Sequence, residues 1–135
     1  MKDSLQPGVA STVTFEVDRE RTIDFMGESA RVYATPMLVR DIEVACRNLL
    51  LDHVDAGEDS VSTRVEIDHI GATLLGMKVT LTVRVASVNG RSVVFEIDGS
   101  DAVEPIVRGR HARFVVDVQK TAQRLAAKAQ KAAST

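Results

Sequence analysis

The stretch TPMLVRDIEVACRNLLLDH, residues 35–53, decides the fold. Leu38, Ile42, Ala45, Cys46 and Leu49 recur at helical spacing and make one apolar stripe. Thr35 and Pro36 mark the start, because Thr can cap free backbone N–H groups and Pro is well tolerated at the first helical position. Asp55, Ala56 and Gly57 supply the break after Leu51–His53. At about 1.5 Å per residue, roughly 17 residues span about 25 Å. This is the one substantial helix before the C-terminal tail.

Strand patterns lie on both sides of it. Ser11–Val17 alternates around Val13, Phe15 and Val17. Asp18–Tyr33 is mixed and reads as irregular structure with room for a short helix. After the helix, Ser60–His69 carries apolar residues or Thr at odd positions from Val61 to Ile67, a register that turns His69 toward the core. Met77–Val88 alternates, Asn89-Gly90 signals a hairpin, and Ser92–Asp98 returns. Val103–Val118 is the last long strand, with Gly109 as a candidate bulge. Strand, helix and four antiparallel strands give an α+β meander with the helix buried against one sheet face. Residues 1–118 form this domain, and 119–135 form an Ala/Lys-rich helical tail.

Composition narrows the function. The chain has 135 residues, 44% of them hydrophobic, enough for one core. No apolar run approaches the ~20 residues of a membrane helix, and the polar start does not resemble a signal peptide, so a cytoplasmic protein is expected. A net charge of −2 and 4% aromatic residues argue against nucleic-acid binding. No CxxC or HxxxH spacing suggests a metal site. The lone Cys46 lies on the apolar stripe and reads as a core residue. In the tail, Lys120, Arg124, Lys128 and Lys131 share one side, either solvated or set near an anionic ligand.

Four positions could carry chemistry. His69 ends its strand just before Ile70-Gly71-Ala72 and is either a satisfied core histidine or a site residue. Glu43 lies about 140° from Leu38 on a helical wheel, at the edge of the stripe. It either pairs with Arg47 at i+4 or serves a site. The Thr35 hydroxyl either caps the helix or faces a site at its start. Arg113 shares a strand face with Gly109, His111 and Val115 and needs an acidic or anionic partner.

From about Val32 to Val118 the chain resembles the fluoroacetyl-CoA thioesterase family of hot-dog-fold proteins. Ala34-Thr35 leads into the helix, with Glu43 eight positions on. His69 follows 26 positions later, before Gly71-Ala72-Thr73 and Gly76-Met77-Lys78-Val79-Thr80. The stretch DAVEPIVRGRHAR, residues 101–113, is similar to the family's Gly-x-His-x-Arg strand. The resemblance implies a hot-dog fold, an antiparallel sheet wrapped around one long central helix. It implies an acyl-CoA thioesterase with Thr35, Glu43 and His69 as the catalytic set and Arg113, Gly71 and Tyr33 as substrate-binding residues. Coenzyme A would belong to the substrate, with no separate cofactor.

Eight helical residues rise ~12 Å, so Thr35 and Glu43 cannot touch along one straight helix. The helix then begins well after Thr35, or two subunits share the site, and the resemblance implies a homodimer. The family's fluoroacetyl-specific enzyme carries paired Phe residues before its helix. Here that segment holds Phe25 and Tyr33, which points to short acyl-CoA thioesters in general. The alternatives are a non-catalytic module binding a CoA thioester or another small ligand, and a purely structural dimeric domain.

Overall fold

The computed structural model describes residues 1–135. The elements are β1 (Ala10–Glu16), β2 (Thr22–Ile23), β3 (Val32–Tyr33), α1 (Thr35–Leu51), β4 (Glu58–His69), β5 (Lys78–Asn89), β6 (Ser92–Ser100), β7 (Pro105–Asp117) and α2 (Val118–Ala133). Five strands form one antiparallel sheet in the order β1-β5-β6-β7-β4, and β2 and β3 form a small separate hairpin. The 18–33 segment holds that hairpin and two single 3₁₀ turns, Arg19–Arg21 and Glu28–Ala30.

Helix α1 lies on the inner sheet face for the reason its stripe predicts. Leu38, Ile42, Ala45, Cys46, Leu49 and Leu50 are all buried. They meet Val79, Leu81, Val83 and Val85 of β5, Val93, Phe95 and Ile97 of β6, and Val107 and Val115 of β7. Each such aliphatic side chain contributes about 1.5–3 kcal/mol on full burial, so this single layer of contacts holds the helix in place.

The connectivity corrects the meander. Only β5, β6 and β7 follow one another across the sheet. After β4 the chain crosses to the other side, and β4 pairs with β7 from the far edge. The β5–β6 loop also differs from an Asn89-Gly90 turn. Asn89 pairs with Ser92, so the loop residues are Gly90 and Arg91. Gly90 alone has positive φ, at 61°, which matches a type II′ turn with Gly at its first central position.

Strand β4 does not keep one register. It shifts between Ser62 and Arg64, leaving Thr63 as the extra residue. Before the bulge the inward residues are even: Ser60 faces Val115 and Ser62 faces Arg113. After it they are odd: Val65 faces His111, Ile67 faces Gly109 and His69 faces Val107. His69 does turn inward, but Val61 is 44% exposed. Gly109 is not a bulge, since β7 keeps its pairing through it. Its missing side chain serves close approach, because a Cβ there would stand 2.2 Å from the Glu66 carbonyl oxygen.

Helix α2 starts directly at the end of β7, where the Asp117 side chain accepts from the Lys120 N–H at 2.9 Å. None of its residues is buried. No helix is long and apolar enough to cross a membrane.

Candidate active site

The end of β3, the first turn of α1 and the end of β4 enclose a pocket of about 480 Å³, lined by Phe25, Tyr33, Thr35, His69, Ile70 and Gly71 among others. Ala34 is the N-cap of α1 and offers no side-chain cap, so Thr35 is already helical. Its hydroxyl is therefore free of capping duty and lies 2.7 Å from His69 Nδ1. The positive end of the helix dipole falls at the same place, where it favours developing negative charge.

His69 is half-buried, and burial lowers its pKa below the ordinary value of 6.5. Its Nε2 is buried without any hydrogen-bond partner. Tyr33 meets the imidazole edge-on at 6.2 Å and meets Phe15 in the same way at 6.1 Å. The Tyr33 hydroxyl donates to Asp41, which Arg21 grips at 2.9 and 3.1 Å while lying over the Phe15 ring. Burial and that carboxylate raise the Tyr33 pKa, so the phenol stays neutral. Tyr33 is thus a fixed wall behind His69, with its hydroxyl already engaged.

Gly71 lines the pocket because only hydrogen fits there. A Cβ would come within 2.7 Å of Glu104 and 2.9 Å of the Pro105 carbonyl. Its N–H donates to the Ile106 carbonyl at 3.3 Å.

Glu43 is placed elsewhere. It stands eight residues along α1, where it accepts a hydrogen bond from the Ser62 hydroxyl. It does not pair with Arg47, which forks onto Asp59 at 3.0 and 2.7 Å. The i+4 rule loses here because β4 presents a closer carboxylate to the same guanidinium. Arg113, only 4% exposed, donates to Ser60 Oγ at 2.7 Å, the Ser60 carbonyl at 2.9 Å and Ser62 Oγ at 2.9 Å. It also meets His111 Nε2 at 3.3 Å. His111 Nδ1 lies 2.9 Å from the Arg64 carbonyl, so that nitrogen carries the proton and Nε2 accepts from Arg113. No carboxylate touches Arg113; of the acidic or anionic partner expected for it, Glu43 lies nearest in the hydrogen-bond network, reached through Ser62. Cys46 is buried and its thiol is pushed up to about 12, which leaves it unreactive as a core residue.

The structure therefore brings Thr35, His69, Tyr33 and Gly71 into one pocket and holds Glu43 and Arg113 in a second cluster farther along α1. Sequence reasoning missed Ser60, Ser62, Asp41 and Arg21. The signal for the two serines was a pair of small polar residues where a core-facing strand would carry apolar ones.

A groove of about 540 Å³ beside α2 is lined by Arg91, Phe114, Lys120 and Arg124. It offers cations, and its one carboxylate, Asp117, is engaged in capping α2. The Thr35–His69 pocket, by contrast, sets a hydroxyl beside an imidazole at a helix N-terminus.

Comparison with known proteins agrees with this fold. The model of the fluoroacetyl-CoA-specific thioesterase family, FlK, matches residues 17–119. The chain belongs to that family. It is 31% identical over 127 residues to the fluoroacetyl-CoA thioesterase of Streptantibioticus cattleyicolor, covering 89% of this chain and 91% of that one. Among solved structures, the fluoroacetyl-CoA thioesterase FlK superposes with a TM-score of 0.85 at 28% identity, over 93% of this chain and 98% of that one. A hot-dog-like protein from Thermanaerovibrio acidaminovorans shares the fold alone, with a TM-score of 0.83 at 22% identity over 90% and 91% of the two chains. The α+β architecture is thus the hot-dog fold, and the FlK family makes this chain a member of a thioesterase lineage.

Proposed function

We propose that this protein hydrolyses short acyl-CoA thioesters, with Thr35 and His69 of one subunit working beside the partner subunit's Glu43. The observation that carries this reading is the Thr35–His69 hydrogen bond inside a pocket at a helix N-terminus. With the Thr35 hydroxyl donating to Nδ1, the imidazole proton sits on the unpartnered Nε2. That N–H polarises the thioester carbonyl, and the helix dipole stabilises the oxyanion as it forms. Glu43 supplies the carboxylate. It attacks the carbonyl carbon to give a mixed anhydride that water then opens, or it takes a proton from an attacking water. Either way the C–S bond breaks, the thiolate leaves and is protonated, and a carboxylic acid results.

Two copies are needed because α1 separates Glu43 from Thr35 by ~12 Å of helical rise. Strand β4 offers the means. It is a sheet edge of 12 residues, with Val61 and Val65 exposed at 44% and 39%, and native proteins rarely leave such an edge bare. Antiparallel pairing of two β4 edges about a two-fold axis near Val65 runs the His69 end of one copy alongside the inward-facing Ser60–Ser62 end of the other. Ser62 and the Glu43 bonded to it are then next in line. Arg113 belongs to the same half of the site, and Gly71 and Tyr33 shape the acyl end. Phe25 is 81% exposed at the pocket mouth, and no second Phe lines the pocket to close over it. That arrangement favours short acyl chains generally over a fluoroacetyl group in particular.

The test is free-thiol release from acetyl-, fluoroacetyl- and medium-chain acyl-CoAs, with wild type and Glu43→Ala compared. Turnover that vanishes in the variant supports the thioesterase. The separation of Glu43 from His69 within one chain favours a second reading, a module that binds a CoA thioester without cleaving it. That reading predicts CoA binding with no thiol released by wild type.

A further inference from the structure

The proposed reaction uses Glu43, yet the structure gives that carboxylate only one side-chain hydrogen-bond partner, Ser62. Ser62 also accepts from Arg113 at 2.9 Å. Its hydroxyl therefore has both roles filled: the lone pair takes the guanidinium N–H, and the O–H points at Glu43. Arg113 in turn is fixed on every side, by Ser60 at 2.7 and 2.9 Å and by His111 at 3.3 Å. His111 is anchored by the Arg64 carbonyl at 2.9 Å and stacked on Phe95 at 6.5 Å. The Thr63 bulge is what turns Ser60 and Ser62 toward this cluster while His69 still faces inward farther on. Arg113 is a buried cation whose direct partners are all neutral, an arrangement that is unfavourable unless a counter-charge lies close by. Glu43 is that counter-charge, one hydroxyl away.

We propose that Ser62 is a positioning residue for the thioesterase reaction, a hydrogen-bonded link through which buried Arg113 fixes the Glu43 carboxylate in its reactive orientation. The inference rests on the thioesterase reading above. A carboxylate on an α-helix has three rotatable bonds and otherwise samples several rotamers. Misplacing a reacting group by about 1 Å lowers rates on the order of a hundredfold. Ser62 acts through Glu43 and touches no substrate itself.

The experiment measures kcat, KM and Tm for wild type, Ser62→Ala, Ser62→Thr and Glu43→Ala, and for Ser62→Ala combined with Glu43→Ala. For Ser62→Ala we expect kcat to fall on the order of ten- to a hundredfold with KM close to wild type, beyond the modest drop in Tm from the lost Arg113 hydrogen bond. Thr keeps the hydroxyl and suits a strand, so Ser62→Thr should recover most of kcat. In the Glu43→Ala background, losing Ser62 should cause no further loss, since the two act as one unit. Wild-type kcat in Ser62→Ala overturns the inference while leaving the thioesterase intact. So does a loss that Thr does not rescue. No turnover in wild type overturns the thioesterase reading itself, whereas full turnover in Glu43→Ala removes Glu43 from the reaction and overturns this inference with it.

Discussion

Thr35 Oγ1 and His69 Nδ1 lie 2.7 Å apart, joining the first turn of α1 to the last residue of β4. The contact fixes the imidazole with respect to the helix dipole. It also shows that the Thr35 hydroxyl is turned away from the backbone N–H groups it would otherwise cap. A cap lost to Ala would destabilise by about 1 kcal/mol. Here Thr35→Ala should leave Tm nearly unchanged and lower kcat about tenfold, the value of one orienting hydrogen bond. Thr35→Ser should retain activity. A clear drop in Tm with unchanged kcat would restore the capping role.

The composite site proposed above makes a prediction about mixtures. Glu43→Ala and His69→Ala should each be inactive alone. In a heterodimer of the two, one site receives His69 from one chain and Glu43 from the other. Random mixing should then recover about a quarter of wild-type turnover, because half the dimers are mixed and half their sites are intact. No recovery would show that each chain works alone.

The Arg47–Asp59 pair is exposed and outside the site. Arg47→Ala should leave turnover at wild-type level and change stability by less than ~1 kcal/mol. Loss of activity in this variant would mean that Arg47 serves Glu43 after all.

Acid should weaken the fold in two separate windows. His69 and His111 are both held below their ordinary value of 6.5, chiefly by burial. The unfolded chain then binds more protons than the folded one just below pH 6.5. Stability present above that pH is lost as pH falls from 6.5 through the folded values. Asp59, lowered by its hydrogen bond to Arg47, gives up its share only below its own ordinary value of 3.8. Melting temperature should therefore fall between pH 7 and 5, and His69→Ala should flatten part of that slope. A flat profile across this range would contradict the burial of both imidazoles.

Gly109→Ala should be among the most damaging small substitutions. The added Cβ would meet backbone atoms of Glu66 and Ile67 at 2.2 and 2.6 Å, and neither can swing aside. We expect a loss of about 3 kcal/mol or more, read by denaturant unfolding. A near-neutral result would show that β4 can slide away from β7.

Helix α1 and its buried face were legible because five apolar residues at helical spacing admit one reading. His69's inward turn was legible too, although by a register that the structure breaks at Thr63. That break was hidden because Ser, Thr and Arg suit either face of a strand, so alternation around residues 60–64 cannot reveal a parity change. The Glu43–Arg47 pairing failed because i+4 rules see one helix, while Asp59 comes from the neighbouring strand. The place of β4 in the sheet was equally invisible, since short loops suggest neighbours and the crossover after β4 has no local signature.

That crossover has a kinetic consequence. Strands β5, β6 and β7 are joined by short connections and can pair early. Strand β1 must find β5 across contacts such as Thr12–Thr82, 70 residues apart, and Ser62 of β4 meets Arg113 across 51. Closing such long loops is slow. The meander should therefore form first, with β4 docking onto its edge late. It brings Ser62 and His69 to Glu43, Arg113 and Thr35 in one of the final steps, so functional competence should appear only at the end of folding, after most of the sheet is already in place.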